Sequence, residues 1–259
     1  MTTARTSTIH SIQQALAGAA LVVVAALAWG FLVASANIMA SMRSGGLLTQ
    51  IMTVMMDPGA VLPYLAVSAL MWVVMMIAMM TPSVLPMMLV FRGMDRGASS
   101  PFTAVTFAAG YLAIWSGFAL LAAVLQWWLH QHGLLHGHLL GAGNRMAGAI
   151  LIAAGLWQFT PLKAACLAHC RGPLSFFMNH WRDGRGGAFV MGLHHGCFCI
   201  GCCWMLMLLM FAGGAMSVLT MAALSVFILA ERVLPAGPWL SKLPGVALIV
   251  LGAGLAAAD

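Results

Sequence analysis

Apolar residues in this chain neither alternate nor recur on one face; they run. Seven runs stand out, at 14–36, 62–91, 102–129, 145–160, 187–211, 215–230 and 243–258. A hydrocarbon core of about 30 Å takes about 20 apolar helical residues to cross. Lipid also denies hydrogen bonds to an open backbone, so helices are the expected element. The pattern therefore predicts an all-α, polytopic transmembrane helix bundle of about seven spans. The fourth and sixth runs are short for a full crossing. Short stretches rich in Gly, Pro and charge separate the runs, and no repeat of 20–50 residues is visible. The first run ends in Ala34-Ser35-Ala36, a small-x-small pattern. It is about twice the apolar length of a signal peptide, so a retained helix is expected.

Composition agrees. Of 259 residues, 63% are hydrophobic and only 6% charged, against about 25% charged in soluble domains. One integral membrane domain, 1–259, is the natural division. It has an N-terminal helix and outer loop at 1–61, a core at about 62–232 and a last helix at 238–259. The net charge of +6 does not point to nucleic acid, because the cations sit in loops between apolar runs. With the N-terminus inside, the inner loops collect Arg5, Arg92, Arg96, Lys163, Arg171, Arg182, Arg185, Arg232 and Lys242, and the outer loops only Arg43 and Arg145. That bias predicts an inside N-terminus and an outside C-terminus. A composition high in Ala and Gly and low in Lys suits a bacterial inner membrane. Glu231 and Arg232 fall at the inner end of the sixth run, and no acidic residue lies near the middle of any run. That argues against a proton-coupled transporter, which keeps an ionisable group at the midplane.

The candidate chemistry is soft. The fifth run contains His194-His195-Gly196-Cys197-Phe198-Cys199-Ile200-Gly201-Cys202-Cys203-Trp204-Met205. On a helix, His195, Cys199, Cys202, Cys203 and Met210 share an arc of about 100°, while His194 and Cys197 point elsewhere. The run begins about two turns from the inner end, which puts these thiols near the midplane. Thiolate and thioether ligands select Cu(I), with zinc, iron or haem as alternatives. Burial in lipid opposes free thiolates and a bound cation offsets that. One or two Cys would simply pack as small hydrophobes; four within seven residues beside two His favour a metal site. Methionine is over-represented at 22 residues. Met71, Met75 and Met79 form one stripe on the second run, and Met76, Met80 and Met87 a second. Pro82 and Pro86 are expected to kink that helix. Met75, Met79 and Met80 thus read either as adaptable packing or as a thioether face for Cu(I).

Two further clusters are outlying. His130, His132, His136 and His138 follow an H-x-H-x3-H-x-H pattern in the outer loop after the third run, suited to metal capture or to a solvated interface. Met39, Met42, Met52, Met55 and Met56 occupy the other outer loop. On the inner side Cys166, His169 and Cys170 form a CxxxC turn, a secondary metal or redox site. A stable disulfide there is disfavoured in a reducing cytoplasm, and Lys163, His169 and Arg171 nearby favour thiol reactivity.

Three segments carry a family resemblance. They are Met71-Trp72 through Met80 with Pro82 and Pro86; Leu156-Trp157-Gln158 through Pro161-Leu162-Lys163, Cys166 and Cys170-Arg171-Gly172-Pro173; and Gly192 through Gly196-Cys197 and Gly201-Cys202-Cys203-Trp204-Met205-Leu206-Met207, followed by Gly214-Ala215-Met216 and Met221. In these the chain resembles a family of uncharacterised bacterial proteins described as predicted metal-binding integral membrane proteins, the domain of unknown function numbered 2182. The Cys-Cys-Trp element is the most specific. The family pattern ends its sixth helix in Glu-Lys, where this chain has Glu231-Arg232. The resemblance implies metal binding and supplies no reaction; His194 or His195 as a second His, and Cys199, go beyond its pattern.

The function expected first is copper acquisition, delivery or transfer across the inner membrane, with a copper chaperone or a membrane oxidase as the partner beyond the lipid itself. A membrane-embedded redox enzyme using copper, iron or haem is a second reading, a thiol–disulfide relay a third, and a metal-free assembly partner, a homo-oligomer included, a fourth. Gly192 and Gly196 at small-xxx-small spacing motivate the last. No H-E-x-x-H, G-x-S-x-G or nucleotide loop is present, so hydrolysis and ATP-driven pumping within this chain are disfavoured. Whether catalysis occurs is open.

Overall fold

A computed structural model describes residues 2–41, 47–94, 103–137, 139–234, 237 and 239–258, with side-chain surroundings for all but 2–17, 39–41, 47, 48 and 52 of these. The helices run α1 (Thr2–Ser41), α2 (Leu47–Val54), α3 (Val61–Met94), α4 (Thr103–Gln131), α5 (Asn144–Trp157), α6 (Pro161–Arg171), α7 (Pro173–His180), α8 (Gly184–Gly213), α9 (Val218–Val233) and α10 (Trp239–Ala257). Two-residue strands, β1 (Leu135–His136) and β2 (Gly141–Ala142), pair antiparallel in the loop after α4. The chain is an all-α polytopic bundle, and every apolar run read from the sequence is a helix.

By length and hydropathy alone, fewer than seven helices stand out as crossings. Gly18–Ile38 within α1, then α3, α4, α8 and α10, are long and apolar enough to cross a membrane. The α5–α6 pair, bent by 67° at its break, would make a sixth span. With 16 residues, α9 rises about 24 Å, less than the roughly 30 Å of a hydrocarbon core. The bend has a local cause. Thr160 caps α6, its hydroxyl accepting from the Lys163 amide, and Pro161 occupies the first turn, where its missing N–H costs nothing. The stretch expected as an inner loop is thus two short helices, α6 and α7.

Glycines set the tightest contacts. A Cβ on Gly192 of α8 would run into the Phe107 carbonyl of α4, and one on Gly110 of α4 into the Phe189 carbonyl of α8. A second pair, α5 and α10, meets at Gly148 with Gly252 and at Gly155 with Gly245, where a Cβ on Gly148 or on Gly155 would lie 2.6 Å from the facing carbonyl. Gly192 and Gly196 are therefore used inside the chain against α4, not offered to a second copy.

Pro82 and Pro86 lie within α3, which continues through both. A proline at 82 cannot bond the Ala78 carbonyl. Trp29 of α1 takes that place, its indole N–H donating to Ala78 O at 3.1 Å. The helix runs on unbroken through the prolines, because a neighbouring helix satisfies a freed carbonyl.

Candidate metal centre

Cys199, Cys202 and Cys203 lie on one face of α8 and are buried. The Cys202 and Cys203 thiols each donate back to the Cys199 carbonyl, at 3.1 and 2.9 Å. The Cys199 sulfur faces α4, where the Trp115 indole N–H donates to it at 3.2 Å and the Tyr111 hydroxyl lies 3.1 Å away. A fourth thiol, on buried Cys170 of α6, lies close to Cys202. Cys166, one turn earlier, is half-buried against Gly201, where a Cβ would lie 2.6 Å from its sulfur. All six cysteines are free.

The residue that organises these sulfurs is Arg232, on the last turn of α9. Its Nη2 donates to Cys199 Sγ at 2.7 Å and lies 3.7 Å from both Cys202 and Cys203. Its Nε and Nη1 are buried without a partner. Beside it Glu231 pairs with Lys163 of α6 at 2.7 Å, both buried, and accepts the Ser241 hydroxyl at 2.7 Å. Lys163 also bonds the Gln158 amide oxygen, and Arg171 Nε donates to the Glu231 carbonyl at 2.6 Å. The sequence puts Glu231 and Arg232 at a helix end and gives no sign of a buried acidic group. The structure keeps them at the helix end and buries both. Two neighbouring charges at the tip of an apolar helix are the available signal; nothing in the sequence singles out Tyr111 or Trp115.

Depth along the bundle follows from helical rise. Cys199 lies about four turns, roughly 21 Å, from the end of α8 at Gly213. It is also about four turns from the start at Gly184, beside α6 and α7. The thiols therefore sit near the middle of α8, beside α6.

His195 stands one turn before Cys199. Its ring is layered on Tyr111 at 5.4 Å and on Phe107 at 6.1 Å, with Phe176 of α7 edge-on at 5.5 Å. It is 1% exposed and neither ring nitrogen has a hydrogen-bond partner, a costly state for a buried polar group. It lies within electrostatic reach of Arg232 and Cys202. His194 and Cys197 are exposed on the other side of α8, and His194 meets the His180 ring at 5.9 Å. His169 stacks on Phe198 at 4.2 Å, its Nδ1 bonded to the Ala165 carbonyl.

The methionines of α3 are core residues, with Met75, Met79 and Met80 fully buried. Here α3 packs on α1, α4 and α9, and α8 on α4, α5 and α6; Trp72 of α3 reaches Phe211 of α8 at 5.4 Å. Among the described residues, His130, His132 and His136 form no ready-made metal-binding group. His130 bonds the Tyr64 hydroxyl through Nδ1 at 3.1 Å, within a network joining Gln126 to Tyr64, Ser68 and Trp72. His132 folds back on the Trp128 carbonyl at 2.8 Å, and His136 is exposed on β1. His138 and Met42 lie outside the described residues. Met55 is buried.

Among the described residues, no three or more His, Cys, Asp or Glu side chains stand as a ready-made metal-binding group. The sulfurs surround a guanidinium instead. Four thiols from two helices, with an imidazole lacking any partner beside them, nonetheless make a soft donor set.

A family model supplies the remaining observation. Residues 69–255 match that of PpoB2, described as a copper chaperone. The chain belongs to this copper chaperone family. The match begins in α3 and ends in α10, so it takes in the whole thiol centre, with Lys163, Glu231 and Arg232. No curated protein and no solved structure matches the chain. Membership makes the role a copper-related one, in a chain with several helices apolar enough to span a membrane.

Proposed function

We propose that the chain binds Cu(I) at Cys199, Cys202, Cys203 and Cys170, with His195 as a further donor, and hands it to an acceptor at the α6–α7 end of the bundle. The observation that carries this is the partnerless buried imidazole beside four thiols contributed by α6 and α8. Sulfur donors in low dielectric suit a soft monovalent cation. Arg232 sets a positive charge against these sulfurs, so Cu(I) and the guanidinium would compete for Cys199. The positive-inside bias makes the α6–α7 end cytoplasmic, in a bacterial inner membrane, with a soluble chaperone or a membrane oxidase as acceptor. That orientation takes α5 and α9 each as a crossing. The resemblance to the domain of unknown function numbered 2182 supports metal binding in the same segments. Met75, Met79 and Met80 are a second-rank thioether path from the outer face.

The test is metal content of the detergent-purified protein by mass spectrometry, beside the Cys202→Ser/Cys203→Ser variant. Copper near one per chain, lost in the variant, is expected. No copper in either protein after anaerobic Cu(I) loading overturns the reading.

The Cys170–Cys202 contact favours one second reading, a thiol–disulfide relay. Alkylation with and without reductant separates the two. Equal labelling of all six cysteines in both conditions rules out a cycling pair.

A further inference from the structure

A cavity of about 660 Å³ opens between α6 and the start of α10, away from the thiols. Its walls include apolar Phe159 and Leu167 and, around them, Gln158, Lys163, Arg171 and Lys242. Among the described residues the lining holds no Asp or Glu. The Lys163 charge is already paired with Glu231. The other donors still have capacity. Gln158 is 5% exposed and its Nε2 has no partner, and Arg171 Nη2 is buried without one. Lys242 stands exposed at the rim. The first turn of α6, with Thr160 and Pro161, also borders the space, and the positive end of a helix adds to the same field.

Donors without acceptors, under a net positive field, call for an anion rich in acceptor oxygens. Three donors from separate elements suit the several oxygens of a phosphate better than one carboxylate. The apolar walls, and the exposed Leu162 and Trp239 nearby, leave room for an attached acyl chain. We propose that this cavity binds a phosphate-bearing anion, held by Gln158, Arg171 and Lys242. The inference does not rest on the copper reading, since no thiol borders the cavity.

Native mass spectrometry of the full-length protein in detergent tests it. Phosphatidylglycerol and phosphatidylcholine of identical acyl chains are added in equal amounts to the wild type and to Arg171→Gln, Lys242→Gln and Arg145→Gln. The wild type is expected to retain one phosphatidylglycerol in preference to phosphatidylcholine. Each of Arg171→Gln and Lys242→Gln should weaken that retention about fivefold, the usual worth of one cation at a membrane surface. Arg145→Gln, on an exposed residue at the other end of the bundle, should change nothing. Adding millimolar inorganic phosphate names the source. Displacement of the lipid makes free phosphate a ligand as well, and lipid that stays makes the acyl chain part of recognition; both keep the site. Equal retention of the two lipids by the wild type overturns the proposal. So does undiminished retention in Lys242→Gln, an exposed residue whose loss leaves the fold intact.

Discussion

Replacing Lys163 by Met leaves Glu231 as a buried, unpaired carboxylate. Lys163 and Glu231 are 1% and 2% exposed and meet at 2.7 and 2.8 Å through both carboxylate oxygens. Breaking such a pair from one side costs about 3–5 kcal/mol, because one ion stays behind without its counter-charge. The carboxylate would keep only the Ser241 hydroxyl, at 2.7 Å, and that single neutral donor replaces about 1 kcal/mol of the loss. Lys163→Met should therefore destabilise the purified protein by about 2–4 kcal/mol. The double variant Lys163→Met/Glu231→Leu removes both ions and leaves only Ser241 and Gln158 wanting partners. It should recover most of the deficit, to within about 1–2 kcal/mol of wild type. Thermal unfolding in detergent, followed by size-exclusion chromatography with fluorescence detection, reads both variants. A double variant no more stable than Lys163→Met would refute the reasoning, since the penalty would then come from lost packing around the lysine stem. The control is Lys242→Met, an exposed cation of the same length, which should leave unfolding unchanged.

Three other outcomes follow from the same geometry. Gly192→Ala forces a methyl into the Phe107 carbonyl and should cost about 1–3 kcal/mol in the same assay, whereas Gly117→Ala, with open space at its Cβ, should be silent. Cys199→Ala should abolish copper retention measured by mass spectrometry while Cys197→Ala, exposed on the opposite side of α8, should keep it; equal loss in both would remove the buried face as the binding face. Trp29→Phe removes the indole donor to Ala78 and leaves a proline-freed carbonyl unsatisfied, for about 1 kcal/mol, read as a lower unfolding temperature that Trp128→Phe, exposed and with no indole bond of this kind, should not show.

The helices are legible because lipid makes long apolar runs unambiguous, and the α8 thiol face is legible because three cysteines and one histidine fit a single helical arc. What crosses between helices is not. Periodicity orients Cys199 on α8 but says nothing of Trp115, Tyr111 or Arg232, which arrive from α4 and α9. The contribution of Cys170 needs the 67° bend at α5–α6, and a Thr-Pro pair announces a helix start without giving its direction. The outer histidines look like one cluster because sequence spacing ignores what each ring already holds. His130 is held by Tyr64 and His132 by its own helix.

The interlock between α4 and α8 has a mechanical consequence. Gly110 admits the Phe189 carbonyl and Gly192 admits the Phe107 carbonyl, so each backbone is seated in a notch of the other. Sliding either helix by even one residue would drive main chain against main chain, and a ratchet along this seam is forbidden. The strip of α8 that bears Cys199, Cys202 and Cys203 is in effect an anvil. The tip of α9 and the body of α6 reach that face through side chains, Arg232 and Cys170. On the proposed copper reading, freeing Cys199 from Arg232 falls to the tip of α9 and not to this face, and a cross-link from α9 to α8 should stop exchange without disturbing the face itself.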